Sequence, residues 1–372
     1  MNCQTFSNNV IYHILSISIL LFILFSCEQK TELKPVLRKV EGQMVINDTI
    51  NLEINQNEFL DMAKVRLSKS NIGLLNPLSV SFTLYDLNGT ILNSFKTNKN
   101  VRKTGSGEEI IGGVPIDFIF SDEPAISMLE IATSKIVTYT LLGERIDSKD
   151  FKDDHSRGLS PMNLSLNTFL VNSKEFIFST GGGLALNPDR IDINFDEKAG
   201  ILFSLNTQNG NLNKEMYLSD IINSPVGDRL TFFQLGVFKN KRYVIFTNDP
   251  SIHVFDSRGK YQNSIALPIQ QLEFVKEISL RQQASNLGIS YFEVNESRFR
   301  LYIKKPIESS NKYETFIVDI AIDLSTYSVF KGPDNVQFVL NNPQSDFAFY
   351  SIDSENLILY LANIGNDIED EN

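Results

Sequence analysis

The stretch FTLYDLNGTILNSF (82–95) reads as an apolar strand, a polar turn carrying Asp86, Asn88 and Gly89, and a second strand. The same phrase returns as MLEIATSKIVTYTLLGERI (128–146), ILFSLNTQNGNLNKEM (201–216), IHVFDSRGKYQNSI (252–265) and FIVDIAIDLSTYSVF (316–330). Asp, Asn and Gly supply the turn conformations that short links between antiparallel strands require. Around these phrases apolar residues recur with period two. Phe316, Val318, Ile320 and Ile322 alternate with Ile317, Asp319, Ala321 and Asp323, and Phe299, Leu301 and Ile303 with Arg298, Arg300 and Tyr302. Leu357, Leu359 and Leu361 repeat the pattern, as do Ile191, Ile193 and Phe195. Such alternation is the mark of strands. Helical spacing is rarer, and Ile269, Leu272, Val275 and Ile278 give the best case for one short helix. The fold class is all-β.

Taking Asp86, Thr133, Asn206, Asp256 and Asp323 as markers, the phrases are separated by 47, 73, 50 and 67 residues. The shorter intervals suit one four-stranded propeller blade of roughly 40–50 residues. The longer ones suit a blade with an inserted loop. The expectation is a β-propeller of about six, or seven, four-stranded blades. A pair of β-sandwiches would need a linker near the middle, and none is evident. Ring closure also protects sheet edges that could pair with neighbouring chains. If both ends close the ring, the strand near Met44–Ile54 joins the sheet containing Phe347–Leu361.

The N-terminal stretch sets the address. VIYHILSISILLFILF (10–25) is free of Asp, Glu, Lys and Arg, and its apolar core is the length of a signal-peptide h-region, short of a membrane span. Leu24-Phe25-Ser26-Cys27 follows and resembles a lipobox, which gives cleavage after Ser26 and fatty acylation (palmitate-type chains) on Cys27. The n-region MNCQTFSNN lacks Lys and Arg, which leaves an uncleaved signal anchor as the alternative. The expected division is a lipoprotein signal peptide over 1–26, a lipidated tether over 27–40, the propeller over 41–365 and an acidic tail over 366–372.

Composition narrows the functional classes. Of the two Cys, Cys3 lies in the leader and Cys27 takes the lipid, so the mature domain has no thiol for a disulfide, a nucleophile or zinc. Its stability must come from a core, which about 345 residues can supply. The formal net charge of −11 offers no basic footprint for nucleic acid or anionic lipid. Multiple acyl chains, rather than the protein surface, would hold it on a membrane. Trp is absent. That weakens any resemblance to propellers whose repeats carry Trp, and lowers the case for sugar stacking.

GSGEEIIGGVPIDFIFSDEPAISMLEIATSKIVTYTLLGERI (105–146), with YDLNGTI (85–91), FDSRGKY (255–261) and the lipobox, resembles the six-bladed β-propeller lipoproteins of Bacteroidota. These are similar to NHL-repeat proteins, and the likeness is to the branch known only as domains of unknown function. It implies a propeller fold and an envelope location, and it carries over no catalytic residue. The pattern is departed from over 147–190 and 269–296.

Chemistry-bearing residues are few. His253 sits mid-strand in SIHVFD, where packing is the expected role. His155 in FKDDHSRG has Asp153, Asp154 and Ser156 beside it, but triad members act by geometry, and adjacent side chains point apart. Asp192, Asn194 and Asp196 open a calcium-loop spacing that Glu197 and Phe203 then break. Gly181-Gly182-Gly183 lacks the Lys-Ser/Thr of a phosphate loop, and Gly105-Ser106-Gly107 and Gly112-Gly113 read as blade connections. Asn88-Gly89-Thr90 matches a glycosylation acceptor, which means little in a bacterial protein. No catalytic residue, cofactor or metal ligand is assigned. The leading expectation is a lipid-anchored binding or scaffolding propeller in the cell envelope, at the outer membrane and facing the periplasm or the cell surface. Its partners would be the membrane, through the lipid, and a protein or small-molecule ligand, with no nucleic acid. The alternative is a hydrolase or lyase using carboxylates and Tyr at the central funnel. That enzyme requires Asp, Glu, Arg or Tyr side chains with shifted pKa values converging at one mouth.

Overall fold

In a computed structural model the described residues are 37–54, 63–97, 101–104, 107–110, 114–120, 124–130, 135–150, 167–172, 175–179, 200–206, 211–226, 233–279, 281–282, 285, 287–340, 342–352 and 356–365. Strands β1 (Arg38–Lys39) and β2 (Gln43–Leu52) come first. Sheet 1 follows with β3 (Lys64–Leu67), β4 (Ile72–Asn76), β5 (Ser81–Tyr85) and β6 (Ile91–Lys96), and then a ribbon of β7 (Val101–Thr104) and β8 (Gly107–Ile110). Sheet 2 holds β9 (Asp117–Phe120), β10 (Ala125–Glu130), β11 (Lys135–Thr140) and β12 (Arg145–Asp150). Sheet 3 holds β13 (Asn167–Asn172), β14 (Glu175–Ser179), β15 (Gly200–Asn206) and β16 (Leu212–Tyr217), after which comes the short helix α1 (Leu218–Ile222). Sheet 4 holds β17 (Phe233–Phe238), β18 (Lys241–Phe246), β19 (Ser251–Asp256) and β20 (Tyr261–Ala266). Sheet 5 contains β21 (Gly288–Val294), β22 (Arg298–Pro306), β23 (Tyr313–Ala321) and β24 (Thr326–Lys331). Last come β25 (Gln337–Phe338), β26 (Phe347–Ile352) and β27 (Leu357–Gly365), which with β2 form sheet 6.

The all-β propeller expected from the sequence is the architecture observed. Apart from the added strands β1 and β2, each sheet is an antiparallel meander in sequence order, and the first strands of neighbours touch: β3 with β9, β9 with β13, β17 with β21. Separate hydrophobic clusters then glue sheet 1 to 2, 3 to 4, 4 to 5, 5 to 6 and 6 back to 1. The expectation of about six four-stranded blades is corrected. Five sheets have four strands, and sheet 5 has five because β1 adds in parallel along the free edge of β24. Arg38 and Lys39, read from sequence as the end of the tether, are thus paired with Thr326 and Tyr327.

Closure follows the expected course. β2 pairs antiparallel with β27, Ile50 opposite Leu359 and Leu52 opposite Leu357, so the outer strand of sheet 6 comes from the other end of the chain. Ile50 and Leu52 reach through to the core shared with sheet 1.

The repeated turn does two jobs. At 86–90 and 256–260 the Asp carboxylate accepts backbone N–H bonds from Asn88 and Thr90, and from Arg258 and Lys260, at 2.8–3.0 Å. These bonds hold both carboxyls below the usual Asp range, with the Thr90 and Lys260 amides the main causes. Gly89 and Gly259 sit at φ +87° and +75°, the left-handed conformation that completes a bulged three-residue loop. A Cβ at Gly89 would also strike the carbonyl of Asn51 in β2, and one at Gly259 would strike Asp220 in α1. Each turn is therefore both a chain reversal and a contact with the preceding sheet. In sheet 2 the equivalent loop starts at Thr140, where Gly143 has φ +85°, and not at the marker Thr133 chosen from sequence.

The expected helix around 269–278 is a 3₁₀ helix, Gln270–Glu277. Ile269, Leu272, Val275 and Ile278 are all buried. Their spacing of three is the 3₁₀ repeat, which stacks side chains at i and i+3 on one line.

Candidate functional site

Polar groups meet where the first strands converge. β3 alternates so that Lys64 and Arg66 share a face, and Arg66 lies opposite Gly73, whose missing side chain leaves room beside sheet 2. The Arg66 guanidinium crosses to Asp117 in β9 as a fork, Nε to Oδ1 at 2.9 Å and Nη2 to Oδ2 at 2.7 Å, with both residues buried. Burial opposes the Arg66 charge, but the attraction and hydrogen bonds of Asp117 outweigh it and raise its pKa. From sheet 5, β21 brings Tyr291 and Glu293 to the same place and β22 brings Tyr302 and Lys304. The Tyr302 hydroxyl donates to Glu293 Oε2 at 2.6 Å. Burial first and the Glu293 charge second push that phenol well above its usual value. The Tyr350 hydroxyl donates to the Ala63 carbonyl at 2.9 Å, and burial raises its pKa too. Tyr313 donates to the Val336 carbonyl at 2.9 Å and is pushed up to about 12 by burial.

Lys304 stands apart. It is 2% exposed, donates to the Gln337 side-chain oxygen, and lies 4.9 Å from the Tyr313 ring centroid and 5.8 Å from that of Phe338. Among the described residues no carboxylate pairs with it. Burial, and then the nearby Lys64 charge, bring its pKa down to about 7. A cavity of about 20 Å³ opens beside these groups, lined by Lys64, Arg66, Asp117, Tyr291, Phe338 and Tyr350, among others. That is room for a water molecule or a small ion. A wider depression of about 470 Å³ lies at the outer seam of sheets 3 and 4, where α1 meets the 256–260 turn, with Ser219, Asn223, Arg258 and Tyr261 on its walls. It is larger, but the axial cluster holds the unusual charges.

His253 lies in β19 with no exposed surface, its Nδ1 2.7 Å from Ser264 Oγ and its ring 5.2 Å from that of Phe246. Packing, as expected, is its role. Asp249 Oδ2 lies 3.4 Å from His253 Nε2, too poorly aligned for a hydrogen bond. Ser26, Cys27, His155 with Asp153, Asp154 and Ser156, Gly181–Gly183, Asp192, Asn194 and Asp196, and the acidic tail all lie outside the described residues. So do Gly105, Ser106, Gly112 and Gly113 of the blade connections. Among the described residues no cluster of three or more His, Cys, Asp or Glu could hold a metal, and no helix is long and apolar enough to cross a membrane.

Sequence reasoning passed over Arg66, Asp117, Glu293 and Lys304. The available signal was a charge inside an otherwise apolar strand, as in Ile116-Asp117-Phe118 and Tyr302-Ile303-Lys304. Period two does not say whether the polar side of a strand is wet or covered. Here the Arg300–Tyr302–Lys304 side faces sheet 6: Arg300 grips Asp319 of the neighbouring strand β23 at 2.6 and 2.8 Å and lies 4.6 Å from the ring of Phe347 in β26.

No protein-family model matches the chain, and no curated protein matches it in sequence. Solved structures do match. A member of the duf4221 family from Bacteroides vulgatus superposes with a TM-score of 0.54 at 10% identity, covering 88% of this chain and 100% of that one. A virginiamycin B lyase from Staphylococcus aureus gives 0.44 at 10% identity, covering 84% and 99%. A gluconolactonase from Xanthomonas campestris gives 0.43 at 9% identity, covering 86% and 98%. At such identities the likeness is one of fold.

Proposed function

We propose that this chain is a lipid-anchored propeller of the bacterial envelope that binds a ligand without transforming it, and that it belongs with the Bacteroidota propeller lipoproteins. The leader and the Leu24–Cys27 lipobox support the address, and the fold shared with a Bacteroides protein supports the kinship. The axial cavity of about 20 Å³ carries the binding reading. Arg66 is clamped by Asp117, Tyr302 by Glu293, and Tyr350 by the backbone, so these side chains are already engaged around a space with room for little more than one small group. A ligand would meet the loops and side chains at the mouth.

The hydrolase or lyase reading keeps one specific support: Arg66, Asp117, Glu293 and Tyr302 converge. Burial opposes the Arg66 charge but Asp117 outweighs it and raises its pKa, while burial and the Glu293 charge raise that of Tyr302. Incubation of the mature protein with an envelope metabolite extract, followed by mass spectrometry, separates the two. A binding module retains a compound at unchanged mass; consumption of a compound with appearance of its product would refute the binding reading. For the address, Cys27→Ser should move the protein from the membrane to the soluble fraction and abolish acylation. An intact Met1 on the protein from cells would refute the anchor.

A further inference from the structure

We propose that the axial cavity is an anion site, in which a small carboxylate such as formate, or the carboxylate end of a larger ligand, sits between Lys64 and the Tyr291 hydroxyl with Lys304 behind. The proposal deepens the binding reading by naming the chemistry of its ligand.

The reason is an excess of donors. The cavity wall carries the Lys64 ammonium and the Tyr291 phenol. Among the described residues neither has an ion-pair or hydrogen-bond partner for that group. Lys304, behind Phe338, has only the neutral amide oxygen of Gln337. The two acids of the axis, Asp117 and Glu293, are held by Arg66 and Tyr302. A chain of net charge −11 thus gathers three cations and two carboxylates at its centre. Lys304 is buried and Lys64 half-buried, and the Lys64 charge disfavours a second ammonium beside it. Either Lys304 gives up its proton, as its pKa of about 7 indicates for the empty site, or an anion arrives and compensates both charges. The groups facing Lys304 are Lys64 from β3, Tyr313 from β23, and Gln337 and Phe338 from β25. None is an acid at neutral pH, so a bound carboxylate would be the missing counter-charge. The cavity has room for about one small group, which favours a single carboxylate over a bulkier oxyanion.

Binding and protonation of Lys304 are then linked. In calorimetric titration of the mature protein with sodium formate at pH 8, in chloride-free buffers of different ionisation enthalpy, formate should bind with uptake of up to one proton. Affinity should fall as pH rises above 7. Lys64→Met and Lys304→Met should each weaken binding about 10- to 100-fold, the loss expected for a hydrogen bond to a charged group. Because Lys304→Met could disturb folding, the wild-type protein provides an independent readout: formate should raise the midpoint of the Lys304 Nζ titration followed by nitrogen NMR. No binding at 50 mM formate, binding without proton uptake, or an unmoved Lys304 midpoint would each overturn the site. Inorganic phosphate binding as well as formate would overturn the assignment to a small carboxylate. If the site fails while the protein still retains a metabolite unchanged, the binding reading survives. If formate binds as stated but metabolites are turned over, that reading falls and the site stands.

Discussion

At the scale of the residue, Lys304 and the turn glycines carry the sharpest consequences. A lysine in the unfolded chain takes its proton near pH 10.5, the folded one near 7. Between these values the unfolded state holds the extra proton, so stability should climb as pH rises from 7 towards 10, by at most about 1.4 kcal/mol per pH unit. Below 7 the penalty is fully present. Lys304→Met should flatten that slope, measured by urea unfolding at pH 7, 8 and 9; an unchanged slope would mean that Lys304 does not titrate in the fold. Gly89 faces a different constraint. Alanine there would take a left-handed conformation costing roughly 1–2 kcal/mol and would also drive its methyl into the Asn51 backbone. Gly89→Ala should therefore cost about 2 kcal/mol or more, read as a lower thermal midpoint, whereas Asn88→Ala, on an exposed residue of the same turn, should cost far less.

At the scale of the element, sequence pattern and structure agree where one face of a strand is dry and diverge where both are. In β23 the apolar Val318 and Ile320 pack towards sheet 4, while Ile317 packs towards sheet 6. In β22 the same logic puts Phe299, Leu301 and Ile303 on the sheet 4 side, yet Arg300, Tyr302 and Lys304 are not on a solvent face. They lie against sheet 6 and the axis. Alternation thus locates the strand and leaves its surroundings open, because period two gives the sides and not what covers them. The 269–278 segment shows the converse. Its spacing of three was legible, and only the backbone hydrogen bonding, such as Leu272 N to the Ile269 carbonyl at 2.9 Å, made it 3₁₀. Leu272 is fully buried in the core between sheets 4 and 5, so Leu272→Ala should cost about 2–5 kcal/mol in chemical denaturation. A loss under 1 kcal/mol would mean that the helix is an ornament on that core.

At the scale of the whole molecule, the ring depends on chain ends far apart in sequence. Removing residues 1–52 would take away β1 and β2, uncover the edge of β27 and withdraw Ile50 and Leu52 from the core, about 1.5–3 kcal/mol for each side chain. Against a truncation of residues 1–42 that keeps β2, the longer one should unfold at clearly lower temperature and aggregate through the bare edge. Equal midpoints would show that closure by β2 adds nothing. The amino-acid sequence by itself determined the strands, the turn residues and even the pairing of the two ends, since hydrophobic period and left-handed glycines act over a few residues. Only the tertiary structure decided that sheet 5 takes a fifth strand, that the polar side of β22 is buried, and that Arg66, Asp117, Glu293 and Lys304 meet. These residues span 239 positions of the chain, and a charge inside an apolar strand gains its meaning from whichever distant charge the closed ring sets against it.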